Sequence, residues 1–182
     1  MLEVKFKLLE HPFYRAWEDG KVSINKLAEY GYSYYDFIVK IPVYWNKVLE
    51  SFSVSDYWIV EEEKNHIELW KKWICKLPKP EKYPILYELL DYFDSLEPSE
   101  LAGAIYSFEI QQPEVAVFKK ECLMKYYNFK EQELEYFDEH MKEEKHIKIG
   151  KKIFDNFANK EEFEKAFHKA SEIIYKSLDN FL

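Results

Sequence analysis

Glycine and cysteine are both scarce in this 182-residue chain, at 4 and 2 copies. Four glycines are about 2% of the chain against an ordinary ~7%, which leaves little material for a Gly-rich phosphate loop or for the tight turns of a β-sandwich. Cys75 and Cys122 stand in no C-x-x-C pair, so neither a disulfide framework nor a zinc ribbon is implied. Positive charge is also short. Lys and Arg number 26 against 34 Asp and Glu, a net charge of −8 that argues against a nucleic-acid partner. No apolar run approaches the ~18 residues of a membrane span. The opening Met1-Leu-Glu-Val-Lys-Phe-Lys7 has charges inside its apolar stretch and no cleavage site. The expectation is a reduced, cytoplasmic protein with no membrane and no nucleic-acid partner.

Apolar residues make up 47% of the chain, enough for a sizeable core, and the length suits one domain spanning 1–182. Aromatics are abundant at 15 Tyr, 14 Phe and 5 Trp, and the tyrosine share invites either a packing or a redox explanation.

The pattern is helical throughout, and proline supplies most of the punctuation. His11-Pro12 marks a helix start with Pro in the first turn. Ser23 is the N-cap of a long stretch to Phe52, interrupted at Ile41-Pro42. Ser53 to Leu77 carries Trp58, Ile59, His66, Leu69, Trp70 and Trp73 at mixed spacings of three and four. Pro78 to Pro84 is a loop, and Ile85 to Leu96 a short amphipathic helix. Pro98 opens a stretch to Asn128 with a kink at Pro113, followed by Glu131 to Asn159 and Lys160 to Leu182. No period-2 alternation competes. The fold class expected is all-α, a bundle of about seven helices.

Four groups could carry chemistry. In Val60-Glu-Glu-Glu-Lys-Asn-His66, Glu62 lies four residues and Glu63 three residues before His66, so both can share its helix face. A carboxylate so placed is how bundle proteins build half of a dimetal site, although an acidic solvated turn gives the same pattern. Glu109 follows an uncharged run of small and apolar residues from Ala102; it lies either on a solvent stripe or in the interior, where a carboxylate needs a cation or a proton. In Glu139-His140-Met-Lys-Glu143-Glu144-Lys-His146, the two histidines point roughly 120° apart on a regular helix. They converge only across a pair of ions or with a local change of winding, and an exposed charged face is the ordinary alternative. Together these stretches offer ligands for about two ions, and a nitrogen-and-oxygen set suits iron or manganese. The fourth group is aromatic. Tyr14 follows His-Pro-Phe, Tyr30 and Tyr34 share a face, and Lys119 sits roughly −80° around an ideal helix from Glu109. Core packing explains most of these tyrosines.

At these residues the chain resembles the haem-oxygenase-like helical superfamily, in its dimetal-oxidase branch. Within that branch it is similar to the chlamydial death-domain-associating proteins and their bacterial and archaeal relatives. The resemblance is carried by His11-Pro-Phe-Tyr14 with Trp17 and Gly20, by Asn65-His66-Ile-Glu-Leu-Trp70, and by Tyr106-Ser-Phe-Glu109-Ile-Gln-Gln-Pro113 with Lys119. Tyr136-Phe-Asp-Glu-His140 and the terminal Tyr175 to Leu182 complete it. It implies a haem-oxygenase-like bundle whose metal ligands are Glu62, His66, Glu109, His140, one of Glu143 or Glu144, and His146. It implies two metal ions (iron, or manganese with iron), dioxygen as co-substrate, an external reductant and a homodimer. Close members are thought to make p-aminobenzoate from one of their own tyrosines. On that likeness Tyr14 is the sacrificed residue, Lys119 the amino donor and Tyr30 a further tyrosine of the cavity, in a protein consumed by a single turnover.

Two departures accompany the likeness. The segment between Glu62 and His66 is about three residues shorter than the family's, and the last metal helix lacks one residue. The register can therefore be kept by Glu143 with His146 or by His140 with Glu144. An oxygen-dependent dimetal oxidase is the expected function. The alternatives are a non-catalytic interaction protein that uses an exposed helix face, and a metal-free hydrolase or binding module on the same bundle. The thiaminase-like relatives' nucleophilic cysteine is absent from Ala102 to Glu109.

Overall fold

The computed structural model describes residues 2–142 and 144–182, and among them it contains helices and connecting chain but no strand. The expected all-α class is what forms. Three of the seven helical stretches are each divided, so ten α-helical segments result among the described residues.

The divisions have local causes. Helix α1 is Pro12–Glu18, capped by the His11 side chain, whose Nδ1 accepts from Phe13 N–H at 3.1 Å. Ser23 caps α2 (Ile24–Ile38) by accepting from Lys26 N–H at 3.2 Å. Pro42 then sits in the first turn of α3 (Ile41–Phe52). Proline has no N–H, and its ring collides with the carbonyl four residues back, so α2 ends at Ile38. The same rule acts at Pro113. Helix α6 (Pro98–Glu109) ends four residues before it, and α7 (Gln112–Tyr126) restarts with Pro113 in its first turn. Glu109 is thereby the last residue of its helix.

Helix α4 (Trp58–Ile74) buries Ile59, Glu63, His66, Trp70 and Trp73, spaced 4-3-4-3, so an acid and an imidazole lie on its inward stripe. After α5 (Tyr87–Ser95), α6 is buried on every side from Leu101 to Glu109, which makes it the central helix. Helix α7 turns Gln112, Val115, Ala116, Lys119, Cys122 and Leu123 inward. The expected last metal helix is broken. Helix α8 (Glu135–His140) closes at His140 and α9 opens at Glu144 (Glu144–Asn156). That break absorbs the angular drift between His140 and His146, so both are buried.

Helix α10 (Lys160–Ser177) makes the most extensive helix contact in the fold, along α6. Gly103 permits it, because a Cβ there would lie 2.1 Å from the Phe163 carbonyl oxygen. On the other side, Gly150 of α9 faces the Tyr106 ring of α6, where a Cβ would come within 2.4 Å. Tyr106 and Glu109 are one turn apart, as are Gly150 and His146, so this approach brings His146 to Glu109. Among the described residues no helix is long and apolar enough to cross a membrane.

Candidate metal centre and a buried amine

Glu63 from α4, Glu109 from the end of α6 and His146 from α9 meet in the interior. One ligand atom from each lies within 4.8 Å of the others. Glu63 Oε1 and Glu109 Oε2 stand 3.1 and 3.5 Å from His146 Nδ1. The other oxygen of Glu63 is 3.3 Å from His66 Nδ1, and the other oxygen of Glu109 accepts from Trp45 Nε1–H at 3.3 Å. His140 adjoins the group, its ring centroid 4.4 Å from that of His66.

The electrostatics of the group call for positive charge. Burial works against ionisation of Glu63, but hydrogen bonds and charge from His146 and His66 hold it well below the usual carboxylate range. Glu109 moves the other way, raised by burial and then by the Glu63 charge. One carboxylate is therefore ionised at the expense of its neighbour, a state that a divalent cation would relieve. His140 is lowered to about 3, by burial and then by the adjacent His66, so it is neutral at ordinary pH. Its Nδ1 lies 2.7 Å from the Tyr136 carbonyl oxygen. A neutral imidazole donates Nδ1–H there, which leaves the Nε2 lone pair as a ligand and matches how metal-bound histidines are oriented. Carboxylate oxygens and imidazole nitrogens without thiolate fit iron or manganese. An open groove of about 720 Å³, lined by Glu62, His66, Lys145 and His146 among others, reaches the group from solvent.

A second arrangement lies across one ring. Tyr136 stacks on His140 (centroids 3.9 Å apart), and it also lines a small cavity of about 10 Å³ with Tyr14, Tyr30, Trp70 and Lys119. That volume is the room of about one water. The Tyr14 and Tyr30 hydroxyls are 3.1 Å apart, and burial raises both phenols. Lys119 Nζ lies 5.2 Å from the centroid of the Tyr30 ring, 5.5 Å from Trp70 and 5.9 Å from Tyr14. No carboxylate pairs with it among the described residues, and burial alone lowers it to about 7.

Of the residues singled out in the sequence, His66, Glu109, His140 and His146 are buried and brought together. Tyr14, Tyr30 and Lys119 are brought together beside them. Glu62 is at the groove, half exposed, with Oε2 3.2 Å from His146 Nε2. Glu144 is not brought to the group. Its side chain is 80% exposed and pairs with Lys148 one turn along, because it opens α9 on the solvent side. Glu143 lies outside the described residues. Glu63, absent from the ligand set that the resemblance implies, is in the group. Its signal was the 4-3-4-3 stripe of α4, which passes through position 63 and not 62. Trp45 and Tyr136 gave no comparable signal. Cys122 is buried and its thiol pushed up to about 11 by burial, which supplies no thiolate nucleophile.

Fold and site define a class: an all-α bundle with a buried carboxylate–imidazole group able to hold a metal ion. No protein-family model matches the chain. Among curated proteins it is similar to the 4-aminobenzoate synthase of Chlamydia muridarum, at 27% identity over 208 residues, covering 96% of this chain and 84% of the relative. The Chlamydia pneumoniae protein of the same name is 26% identical, with 96% and 87% covered. That of Nitrosomonas europaea is 27% identical, with 94% and 84% covered. These relatives bear out the resemblance read from the sequence.

Proposed function

We propose that the chain forms 4-aminobenzoate (p-aminobenzoate) in an oxygen-dependent reaction at two buried metal cations, with Tyr14 and Lys119 as its internal reactants. The names of relatives matching almost its whole length support the product. A redox-active pair, iron or manganese with iron, would supply the activation of dioxygen. Glu63, Glu109, His66, His140 and His146 would hold it, and Tyr136 separates it from the tyrosine cavity by one ring.

The observation that carries the reading is Lys119. A lysine buried without a carboxylate costs stability, and in this fold it faces the rings of Tyr14 and Tyr30. Lowered to about 7, its amine has a lone pair available near neutral pH. The cavity has no room for an added aromatic substrate, which favours the chain's own ring. Ring and β-carbon of Tyr14 correspond to ring and carboxyl carbon of the product. The Tyr14 Cα–Cβ bond and the Lys119 Cε–Nζ bond would break, and the lysine nitrogen would replace the phenolic oxygen, which leaves as water. Dioxygen together with an external reductant would serve the oxidation of the β-carbon to the carboxyl. Tyr30 holds that oxygen by its hydroxyl. Each chain would react once.

Metal analysis of protein purified without chelator from iron- and manganese-replete cells tests the cation part. About two ions per chain, lost in Glu109→Ala, are expected from the ligand count. A metal-free protein under those conditions would refute it.

A further inference from the structure

Glu62 and Glu63 are consecutive on α4, so their side chains leave the helix about 100° apart. Glu63 points inward at 4% exposure and touches His146 Nδ1 and His66 Nδ1. Glu62 points to the groove and meets the opposite edge of the same imidazole, Oε2 at 3.2 Å from His146 Nε2. Its other oxygen lies 3.9 Å from Lys145 Nζ. His146 is thus held between carboxylates on both ring nitrogens, with Trp58 and Trp45 near its ring. Only the Nδ1 edge also faces Glu109.

We infer that Glu62 is a positioning residue for His146, and that Glu63 rather than Glu62 gives the carboxylate of α4 to the cation. The inference rests on the cation reading above. A cation held by Glu63, Glu109 and His146 would take the Nδ1 lone pair. Nε2 would then keep the ring proton and donate a hydrogen bond to Glu62 Oε2. The contact fixes the tautomer, holds the ring plane and makes Nδ1 more basic, as carboxylates behind metal-bound histidines do. Lys145, beside the second oxygen of Glu62, steadies the carboxylate at the groove rim. This assigns Glu62 to the outer side of the imidazole, in contrast to the ligand role that the resemblance implies.

The test is histidine ¹⁵N NMR of the full chain, first free of cations and then titrated with Zn(II) as a diamagnetic probe, together with Zn(II) affinity. Wild type is expected to show a hydrogen-bonded Nε2–H on His146 in both states, with zinc changing only Nδ1. Glu62→Ala is expected to lose the protected Nε2–H signal and to bind zinc about 10- to 100-fold more weakly. Glu62→Gln keeps an oxygen acceptor, so both signal and affinity are expected to stay within a few fold of wild type. Glu63→Gln is expected to keep the Nε2–H signal and lose tight zinc binding. Coordination through Nε2, or a loss in Glu62→Gln equal to that in Glu63→Gln, overturns the inference and makes Glu62 a ligand. If wild type binds no zinc, the cation reading falls and the role of Glu63 falls with it. The Glu62 contact is then decided by the cation-free spectrum, where absence of the Nε2–H signal overturns it.

Discussion

Tyr136 and His140 are one helical turn apart, and the first holds the second twice over. The rings stack at 3.9 Å and 27°, while the Tyr136 carbonyl takes up His140 Nδ1 at 2.7 Å. The same ring packs edge-on against Trp70 at 4.8 Å and lines the cavity that holds Tyr14 and Lys119. Tyr136 is the partition between the carboxylate–imidazole group and the tyrosines.

That partition can be changed without changing the backbone contact. Tyr136→Leu removes the stack and leaves the carbonyl in place. It is expected to cost about 2 kcal/mol of stability by denaturant unfolding. Cation affinity is expected to stay within about tenfold of wild type, because the ligands are untouched. Product yield should fall by more than that.

Lys119 gives a pH signature of its own. Its folded value of about 7 is below the 10.5 of the free side chain, so between these pH values the unfolded chain binds the extra proton. The burden on stability is therefore full below about pH 7 and fades as pH rises toward 10.5. Lys119→Met is expected to be more stable than wild type at pH 7, by about 5 kcal/mol at most, and the gap should close in alkali. Denaturant melts from pH 6 to 10 read it. A less stable Met variant would show that the amine has a stabilising partner. The same variant is expected to form no product.

Gly103 sets the distance between α6 and α10. Gly103→Ala places a methyl 2.1 Å from a backbone oxygen, which cannot swing away as a side chain can. A loss of about 3 kcal/mol or more is expected, read as a fall in thermal midpoint. Gly150→Ala meets only the Tyr106 ring, so its effect on stability should be smaller.

Glu144→Gln serves as the control on the exposed side of α9. It removes a solvent-screened pair with Lys148, so stability should change by less than about 0.5 kcal/mol. Zinc affinity should not change, and a loss as large as that of Glu63→Gln would place Glu144 among the ligands.

Much of this was legible because proline and helix periodicity are local signals. Pro42 and Pro113 fix helix ends four residues upstream, and Ser23 caps as its position suggests. For Glu109 the uncharged run before it left burial and a solvent-facing stripe equally open, and the packing of α6 on all sides is what buries it. The uneven spacing of His140 and His146 showed that one regular helix could not present both, and a helix break is how the chain solves it. The choice between Glu62 and Glu63 was harder. Both flank His66 at allowed spacings, and only the stripe through Ile59, His66, Trp70 and Trp73 selects position 63. Trp45 and Tyr136 could not be found this way, since their contacts with Glu109 and His140 depend on how helices pack or on a backbone oxygen. His11, read as a helix-start residue, is the N-cap of α1 and also reaches Asp179 at 3.2 Å, a tertiary contact with no local trace.

The most direct measurement is peptide mass analysis of residue 14 after the metal-loaded protein has been reduced and then exposed to oxygen. The account predicts loss of the Tyr14 side chain in step with release of p-aminobenzoate, and neither change in Glu109→Ala. Product released from protein whose Tyr14 remains whole would contradict it.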